Sequence, residues 1–246
     1  MESYDILGCP CHALADEAEA AACLERLVAE KQGGYSVAIN AEKIYRYSHD
    51  PALARAIRGA AIFVPDGSGA VLSLRLLHRR RAARINFPRV ALAVANRNRY
   101  RLALFGATPE NNALAVAEIK GAYPGIKLVS CLDGYHGDEA MIDRLRESPV
   151  DMVLLGLGSP KQEVFAARLR SDVPEPFVVC CGGAINVLAG KARKAPAVFA
   201  DNHLEWLYRL AREPSRCKRQ RLLPLFLARL LFAVLKRHTG ASAFFL

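Results

Sequence analysis

Short apolar runs alternate along the chain with longer segments in which apolar residues recur every three or four positions. Six runs have the length and composition of buried strands, at residues 35–39, 61–64, 101–105, 126–130, 151–157 and 176–181. Helical spacing is clearest between them, over residues 50–60, 108–124 and 159–170. This alternation predicts an α/β protein with a mostly parallel sheet flanked by helices.

Two of the predicted helices carry start signals. Thr108 is an N-cap residue type, and Pro109 after it suits the first helical position. Ser159 and Pro160 repeat this arrangement, and Gln162 stands three residues after Ser159, which completes a capping-box pattern. We therefore expect helices that begin directly after Thr108 and Ser159.

The ends of the predicted strands carry polar residues and glycines. In a parallel sheet, ligands bind outside the carboxyl ends of the strands. Residues 154–163, LLGLGSPKQE, run from a strand through glycines into a helix start, where free amides suit a phosphate. Gly182 and Gly183 introduce a second such turn, followed by Asn186. Two turns of this kind favour a nucleotide pocket, although Lys161 replaces the third glycine of the dinucleotide fingerprint.

After about residue 195 the pattern changes to consecutive helices, so we expect an α/β body over 1–195 and a helical C-terminal appendage over 196–246. Within 222–235, apolar residues recur at helical steps and basic residues flank both ends. This amphipathic pattern suits an anionic membrane interface over 222–237. It suits equally a helix that packs on the body or on another subunit. No run is long and apolar enough to predict a spanning helix.

The charge composition of the chain indicates the class of its partner. The chain of 246 residues has a net charge of +10, which favours an anionic partner such as a phosphorylated ligand, a nucleic acid or a membrane surface. Residues 75–101 contain nine arginines and no acidic residue; most are expected to form a solvated basic face. The first residues show no secretory signal pattern, so the seven cysteines are expected to be reduced and cytosolic. No second ligand pair accompanies CPCH at 9–12, so no metal site is expected.

Four segments follow one another in a distinctive order. They are VPDGSG at 64–69, LLGLGSPKQE at 154–163, GGAINVLAGKARKAP at 182–196 and HLEWLYRLAREPSR at 203–216. Together they resemble the bacterial WecG/TagA/CpsF glycosyltransferase family over about residues 35–220. The segments GLGSPKQE and EWLYRLAREPSR are specific signals, whereas PDG alone is weak.

The resemblance implies a Rossmann-like body and an inverting, metal-independent and cofactor-free transfer. The sugar would pass from a UDP-sugar to a polyprenyl-diphosphate-linked saccharide in exopolysaccharide or cell-envelope glycan synthesis. The resemblance further implies a peripheral protein on the cytoplasmic face of the cell membrane. It is compatible with a homo-oligomer and implies no nucleic-acid partner. The sugar and the acceptor saccharide stay open.

The resemblance also implies residue roles. Asp66 corresponds to the general base, and the substrate-binding positions that it implies are Asn40, Arg84, Gln162, Arg209, Arg216 and Arg219. The turn residues Gly182, Gly183 and Asn186 complete the predicted substrate site. The chain departs from the family pattern at Ala38, where a threonine is usual, at Asn186, where an aspartate is usual, and over 86–90.

These roles fit the chemistry. Inverting transfer needs a base on the acceptor hydroxyl, and the leaving diphosphate needs charge compensation. Because no Asp-x-Asp motif is present, arginines and helix-start amides are the expected donors to the diphosphate. We expect Gly67 and Gly69 to give a saccharide close access to Asp66.

Two other function classes remain as alternatives. A nucleotide-dependent oxidoreductase would use the same type of sheet, but its glycine fingerprint is incomplete. A non-enzymatic basic adaptor for membranes or nucleic acid would explain the arginines, but gives no reason for polar residues at the strand ends.

Overall fold

The computed structural model describes residues 1–31, 33–191 and 221–238. The strands are β1 Ser3–Ile6, β2 Cys9–His12, β3 Gly34–Ile39, β4 Ile62–Pro65, β5 Arg101–Gly106, β6 Lys127–Leu132, β7 Met152–Gly156 and β8 Phe177–Cys180. The helices are α1 Glu17–Ala29, α2 Ala41–Tyr47, α3 Pro51–Arg58, α4 Ser68–His78, α5 Phe87–Asn98, α6 Pro109–Ala122, α7 Asp138–Glu147, α8 Lys161–Asp172, α9 Ala184–Leu188 and α10 Leu222–His238.

Strands β3 to β8 form one six-stranded sheet in the order β4-β3-β8-β7-β5-β6. All neighbouring strands in it are parallel. The six strands predicted from apolar runs are thereby confirmed, as is the α/β architecture with a C-terminal helix. The boundary predicted at residue 195 lies outside the described residues, so the division into two domains stays a prediction.

Helices cover both faces of the sheet. Alternate residues of β7 point to opposite faces, so Leu154 joins the core with α1, α5 and α6, whereas Leu155 joins the core with α3, α7 and α8. The helix that follows β5 is α6, and the helix that follows β7 is α8. These neighbouring strands therefore lead to helices on opposite faces. Such a switch point leaves a crevice at the carboxyl ends of the two strands.

A short antiparallel hairpin, β1–β2, precedes the main sheet and was not predicted. Leu7 and Gly8 connect its strands with φ of 54° and 91°, as expected in a two-residue hairpin turn with both central residues at positive φ. His12 on β2 accepts a hydrogen bond at Nδ1 from the Phe63 backbone N–H, at 3.1 Å. Since β4 is an edge strand, this contact covers part of an otherwise open sheet edge.

The buried His12 gives the fold a pH dependence. Burial lowers the pKa of His12 from its ordinary value of 6.5 to about 4. The unfolded chain therefore takes up a proton on His12 near pH 6.5, while the folded chain resists it down to about pH 4. The stabilisation is present above pH 6.5 and is lost as the pH falls toward 4, by about 3 kcal/mol for a shift of this size.

We expect His12→Asn to flatten this dependence, because its amide oxygen can still accept from Phe63 but does not titrate. The free energy of unfolding, measured with urea between pH 7 and pH 4.5, should fall less in this variant than in the unmodified protein. His136→Asn is the control, since His136 is exposed. Equal slopes for all three proteins would contradict the assignment to His12.

The two predicted helix starts had different outcomes. Thr108 caps α6 as predicted, because its Oγ1 accepts from the Asn111 backbone N–H at 3.2 Å, with Pro109 at the start of the helix. The capping box at Ser159 is wrong. Helix α8 begins at Lys161, its cap position is Pro160, and no side chain of the described residues caps it. The Gln162 side chain is turned instead toward the protein interior.

Helix α10 packs on α2 and α4 through one side only. Phe226 and Leu230 are buried in this contact. Arg229 lies beside them, with Nη1 donating to Ser48 Oγ at 2.8 Å and its guanidinium above the Tyr45 ring. The apolar pattern of this segment thus does serve packing on the body. None of the described helices combines the length and apolar composition that crossing a bilayer requires.

Candidate active site

Asp66 and Asn40 lie side by side, where two paired strands end. Ile39 of β3 is in register with Pro65 of β4, and Asp66 N–H donates to Ile39 O at 2.8 Å. Asn40 also caps α2, since its Oδ1 accepts from the Lys43 backbone N–H at 3.0 Å. Asp66 is half-buried, and its carboxylate has no hydrogen bond or ion pair within the described part of the chain. A carboxylate in this state can accept a proton from a ligand.

The two glycines after Asp66 have different roles. Gly67 has φ of +84°, a conformation that favours glycine, and a Cβ placed there would meet no atom of the described residues within 4 Å. The described residues thus leave the space in front of Gly67 open, and acceptor access there stays a prediction. Gly69 corrects that prediction, because a Cβ there would lie 3.0 Å from Ala41 Cβ and 3.3 Å from the Phe226 ring. Gly69 serves the packing of α4 against α2 and α10.

Arg84 belongs to the same end of the sheet. It is exposed, and the next residue, Ile85, donates its N–H to Pro65 O at 3.2 Å. This bond holds the segment beside the last residue of β4, one position before Asp66. The backbone thereby keeps Arg84 close to the Asp66 turn. A guanidinium here can compensate an anionic ligand.

The crevice at the switch point forms a second group. Gly106 and Gly156 end β5 and β7, and a Cβ on Gly106, which has φ of +125°, would lie 2.3 Å from Gly156 O. The two glycines thus permit the strand ends to approach closely. Above them is a cavity of about 230 Å³, lined by Ala107, Thr108, Gly134, Tyr135, Gly156, Leu157 and Asn186.

Asn186 extends from α9 into the wall of this cavity. Its Oδ1 accepts from Asn111 Nδ2 of α6 at 3.0 Å, so α6 and α9 are joined beside the cavity. Tyr135 on the opposite wall is 78% exposed. An open aromatic ring, an amide and the start of a capped 14-residue helix are suitable contacts for a nucleotide with its phosphates.

Gln162 lies between the two groups but is only 2% exposed. Its Oε1 accepts from the Gly182 backbone N–H at 3.0 Å, and its Nε2 donates to Glu163 Oε1 at 2.8 Å. Both ends of the amide are therefore used inside the protein. Gly183 follows in the same turn and is exposed, and a Cβ placed on it would meet no heavy atom within 4 Å in the part of the chain that the structure describes.

Three site residues expected from the resemblance, Arg209, Arg216 and Arg219, lie outside the described residues. Other residues of the site were not predicted. Tyr135 had a sequence signal, because it lies in a Gly-containing turn after a strand. His136 is an exposed loop residue paired with Asp133 at 3.3 Å. The sequence did not predict the contact between Lys43 and Glu163, since the two residues lie far apart along the chain.

Among the described residues, four arginines of the segment 75–101 pair with acidic residues, three of which lie in the N-terminal part of the chain. Arg89 pairs with Glu17, and Arg97 pairs with Glu25 on α1. Arg80 pairs with Glu2, and Arg101 with Asp151. These exposed pairs agree with the expectation that most of the segment is a solvated face. Within the described ranges, no group of three or more His, Cys, Asp and Glu side chains could hold a metal ion.

Taken together, one parallel sheet presents an available carboxylate at one edge and an open crevice at its switch point. This arrangement is that of an α/β protein with a candidate ligand site at the carboxyl ends of its parallel strands. A family model described as glycosyl transferase WecG/TagA/CpsF matches residues 4–240. The chain belongs to this family of glycosyltransferases, and the resemblance found in the sequence is confirmed.

Two curated relatives agree with this assignment. An N-acetylglucosaminyldiphosphoundecaprenol N-acetyl-β-D-mannosaminyltransferase of Bacillus spizizenii is 31% identical over 218 residues, which are 87% of this chain and 83% of the relative. The protein with the same description from Bacillus subtilis is 30% identical over 221 residues, 88% of this chain and 84% of the relative. Membership favours a glycosyltransferase over the oxidoreductase and adaptor alternatives.

Proposed function

We propose that this protein transfers an N-acetylhexosamine from a UDP-sugar to a polyprenyl-diphosphate-linked N-acetylglucosamine. The proposed sugar is N-acetylmannosamine, and its donor is UDP-N-acetylmannosamine. The observation that carries the proposal is the available Asp66 carboxylate beside the open space over Gly67, in a chain of this family. The two relatives support the choice of sugar and acceptor, because both are described by this transfer.

Asp66 takes the proton from the acceptor hydroxyl as its oxygen attacks the anomeric carbon. The new bond forms between that oxygen and the carbon, the bond from the carbon to the UDP oxygen breaks, and UDP leaves with the bonding electrons. Attack opposite an α-linked leaving group gives a β product, which is inversion. A positioned base of this type contributes about 10²- to 10⁴-fold to a rate.

The donor occupies the switch-point crevice. In the strand order of the sheet, β4 is three steps from β7, which is about 14 Å at the usual strand spacing. An extended nucleotide sugar can therefore have its base and phosphates near Asn186 and its sugar toward Asp66. The amides of the glycine turns compensate the diphosphate charge without a metal or other cofactor, and Arg84, beside the Asp66 turn, stays a predicted substrate-binding residue. Arg209, Arg216 and Arg219 stay predicted contributors.

The lipid-linked acceptor is reached by docking on an anionic membrane. Helix α10 buries one side on the body, yet its other side exposes the large apolar residues Leu225, Leu227, Leu231, Phe232 and Leu235. Such a stripe on a surface helix marks an interaction site. Arg221, Lys236 and Arg237 near its ends complement anionic headgroups. The protein is accordingly proposed to act as a peripheral enzyme on the inner face of the cell membrane.

A donor screen tests the proposed reaction. The purified protein is incubated with a short-chain prenyl-diphosphate-linked N-acetylglucosamine and, in turn, UDP-N-acetylmannosamine, UDP-N-acetylglucosamine, UDP-glucose and the corresponding uronic acid donor. We expect mass spectrometry to show addition of one N-acetylhexosamine with the mannosamine donor. A product from another donor alone would reject the proposed sugar, and no product from any donor would reject the proposed transfer.

The same assay locates the donor. Asn186→Ala is expected to raise the donor KM about tenfold, because it removes an amide from the cavity wall. Asn98→Ala is the matched control, since Asn98 is exposed at the end of α5, close to where β5 begins and so away from the carboxyl ends of the strands. An unchanged donor KM in Asn186→Ala would place the donor elsewhere.

A further inference from the structure

A buried ion pair joins α2 to α8 beneath the carboxyl ends of the sheet. Lys43 Nζ lies 2.7 Å from Glu163 Oε1, and the two side chains are 5% and 0% exposed. Lys43 Nζ also donates to Ala38 O of β3 at 2.8 Å. Glu163 Oε2 has no hydrogen-bond partner among the described residues. The pair is therefore buried, and one of its carboxylate oxygens has no hydrogen bond among the described residues.

The pair controls the orientation of one amide. Glu163 Oε1 can only accept when the carboxylate is charged, so it selects the NH₂ end of the Gln162 amide. The oxygen of that amide must then face the Gly182 N–H, which it accepts at 3.0 Å. Gly182 has φ of +53° and begins the turn that leads through Gly183 to α9 and Asn186. The Gln162 amide thus connects the Glu163 carboxylate to the backbone turn that leads to the crevice wall.

The other end of the network reaches the Asp66 side. Lys43 is held at its backbone N–H by Asn40 and at Nζ by Ala38 O, on the strand that pairs with β4. One continuous set of hydrogen bonds therefore links the ends of β3 and β8 and the start of α8. These elements lie between Asp66 and the crevice in the strand order.

Stability alone is a poor reason for such a pair. Burying two charges costs much of what their attraction returns, and apolar replacements of similar volume are often as stable or more so. Removing only one partner is strongly destabilising, because it leaves a buried charge alone. A pair that is costly, buried and directed at a single amide is better explained by the geometry that it imposes.

We propose that Lys43 and Glu163 are positioning residues for the transfer reaction. They hold the Gln162 amide in one orientation, and so set the Gly182–Asn186 wall relative to Asp66. The expected loss of kcat rests on the proposed function, whereas the expected orientation of the Gln162 amide does not.

The test compares the full-length protein with Lys43→Met, Glu163→Gln and the double variant Lys43→Met/Glu163→Leu. Urea unfolding, kcat, the donor KM and amide hydrogen exchange are measured on each. We expect the single variants to be destabilised and the double variant to recover most of the stability. In the double variant kcat should still be at least about tenfold lower, with a smaller change in KM.

Amide exchange supplies a readout that does not need activity. Exchange at Gly182 should accelerate at least about tenfold in the double variant, because its acceptor is no longer oriented. The Cys181 amide, which donates to Leu155 O at 2.9 Å, is the internal control and should not change. If the double variant does not fold, Glu163→Gln, which keeps the side-chain volume, gives the same two readouts.

The outcomes separate the two proposals. A stable double variant whose kcat and Gly182 exchange rate both equal those of the unmodified protein would overturn the positioning role. If the unmodified protein transfers no sugar, the proposed function fails, and the Gly182 exchange rate alone then decides the role of the pair. Faster exchange supports it, and unchanged exchange overturns it.

Discussion

Replacing Asp66 by asparagine is expected to lower kcat for sugar transfer by about 10²- to 10⁴-fold, the usual contribution of a positioned general base. The side chain keeps its size and loses its ability to take up the proton of the acceptor hydroxyl. The fold should not suffer, because the carboxylate makes no hydrogen bond or ion pair within the described residues and its backbone N–H stays bonded to Ile39 O. Steady-state kinetics with the donor found in the screen measure this effect.

Binding should change far less than turnover in Asp66→Asn. A base acts in the transition state, so its loss lowers kcat while KM stays within a few-fold. Asp143→Asn is the matched control, because Asp143 is an exposed aspartate on α7 that pairs only with Arg146 among the described residues. If the folded Asp66→Asn variant had the same kcat as the unmodified protein, Asp66 would not be the general base. A loss of activity that follows a loss of folding, seen by circular dichroism, would assign Asp66 to the turn instead.

The strands of the sheet were predictable because parallel strands are buried on both faces and read as continuous apolar runs. Met152–Gly156 and Phe177–Cys180 are such runs, and almost every residue in them is buried. The hairpin β1–β2 was not predictable in the same way. Its strands have four residues each, and its turn at Leu7 and Gly8 lacks the Asn-Gly type of signal.

The candidate site was only partly predictable, for a physical reason. Asp66 and Asn40 stand at strand ends, and strand ends can be found from local pattern. The partners of Gln162 come from other parts of the chain, since Gly182 follows a different strand and Lys43 lies on a different helix. Contacts of this kind depend on strand order, which the local pattern does not contain. A capping box at Gln162 was a sound local prediction that a tertiary contact overrode.

The apolar pattern of α10 illustrates a different limit. Packing on the body and binding a membrane were alternatives at the level of sequence. In the structure, packing uses one side of the helix and leaves another open, because Phe226 and Leu230 are buried while Leu231 and Phe232 are exposed. The packed side fixes the helix next to Gly69, close behind Asp66 in the chain. The proposed membrane contact of the open side would therefore lie close to the proposed base.

The double substitution Leu231→Glu/Phe232→Glu is expected to reduce binding to anionic vesicles at least about a hundredfold. The two side chains are 60% and 70% exposed, so they are available for burial in lipid. Full burial of a Leu or Phe side chain contributes about 1.5–3 kcal/mol, and each 1.4 kcal/mol is a factor of about ten. Two glutamates also repel anionic headgroups. Sedimentation with vesicles of phosphatidylethanolamine and phosphatidylglycerol measures the partition.

Leu114→Glu/Val129→Glu is the matched control, because these residues are also exposed apolar positions but lie on α6 and β6, at the other edge of the sheet. The control should bind vesicles as the unmodified protein does. The α10 variant should keep its turnover on a water-soluble short-chain acceptor and lose it on a long-chain acceptor in vesicles, since only the latter requires docking. An unchanged vesicle partition would reject the membrane role of this face. A change in molecular mass without vesicles would show instead that the face binds a second copy of the chain.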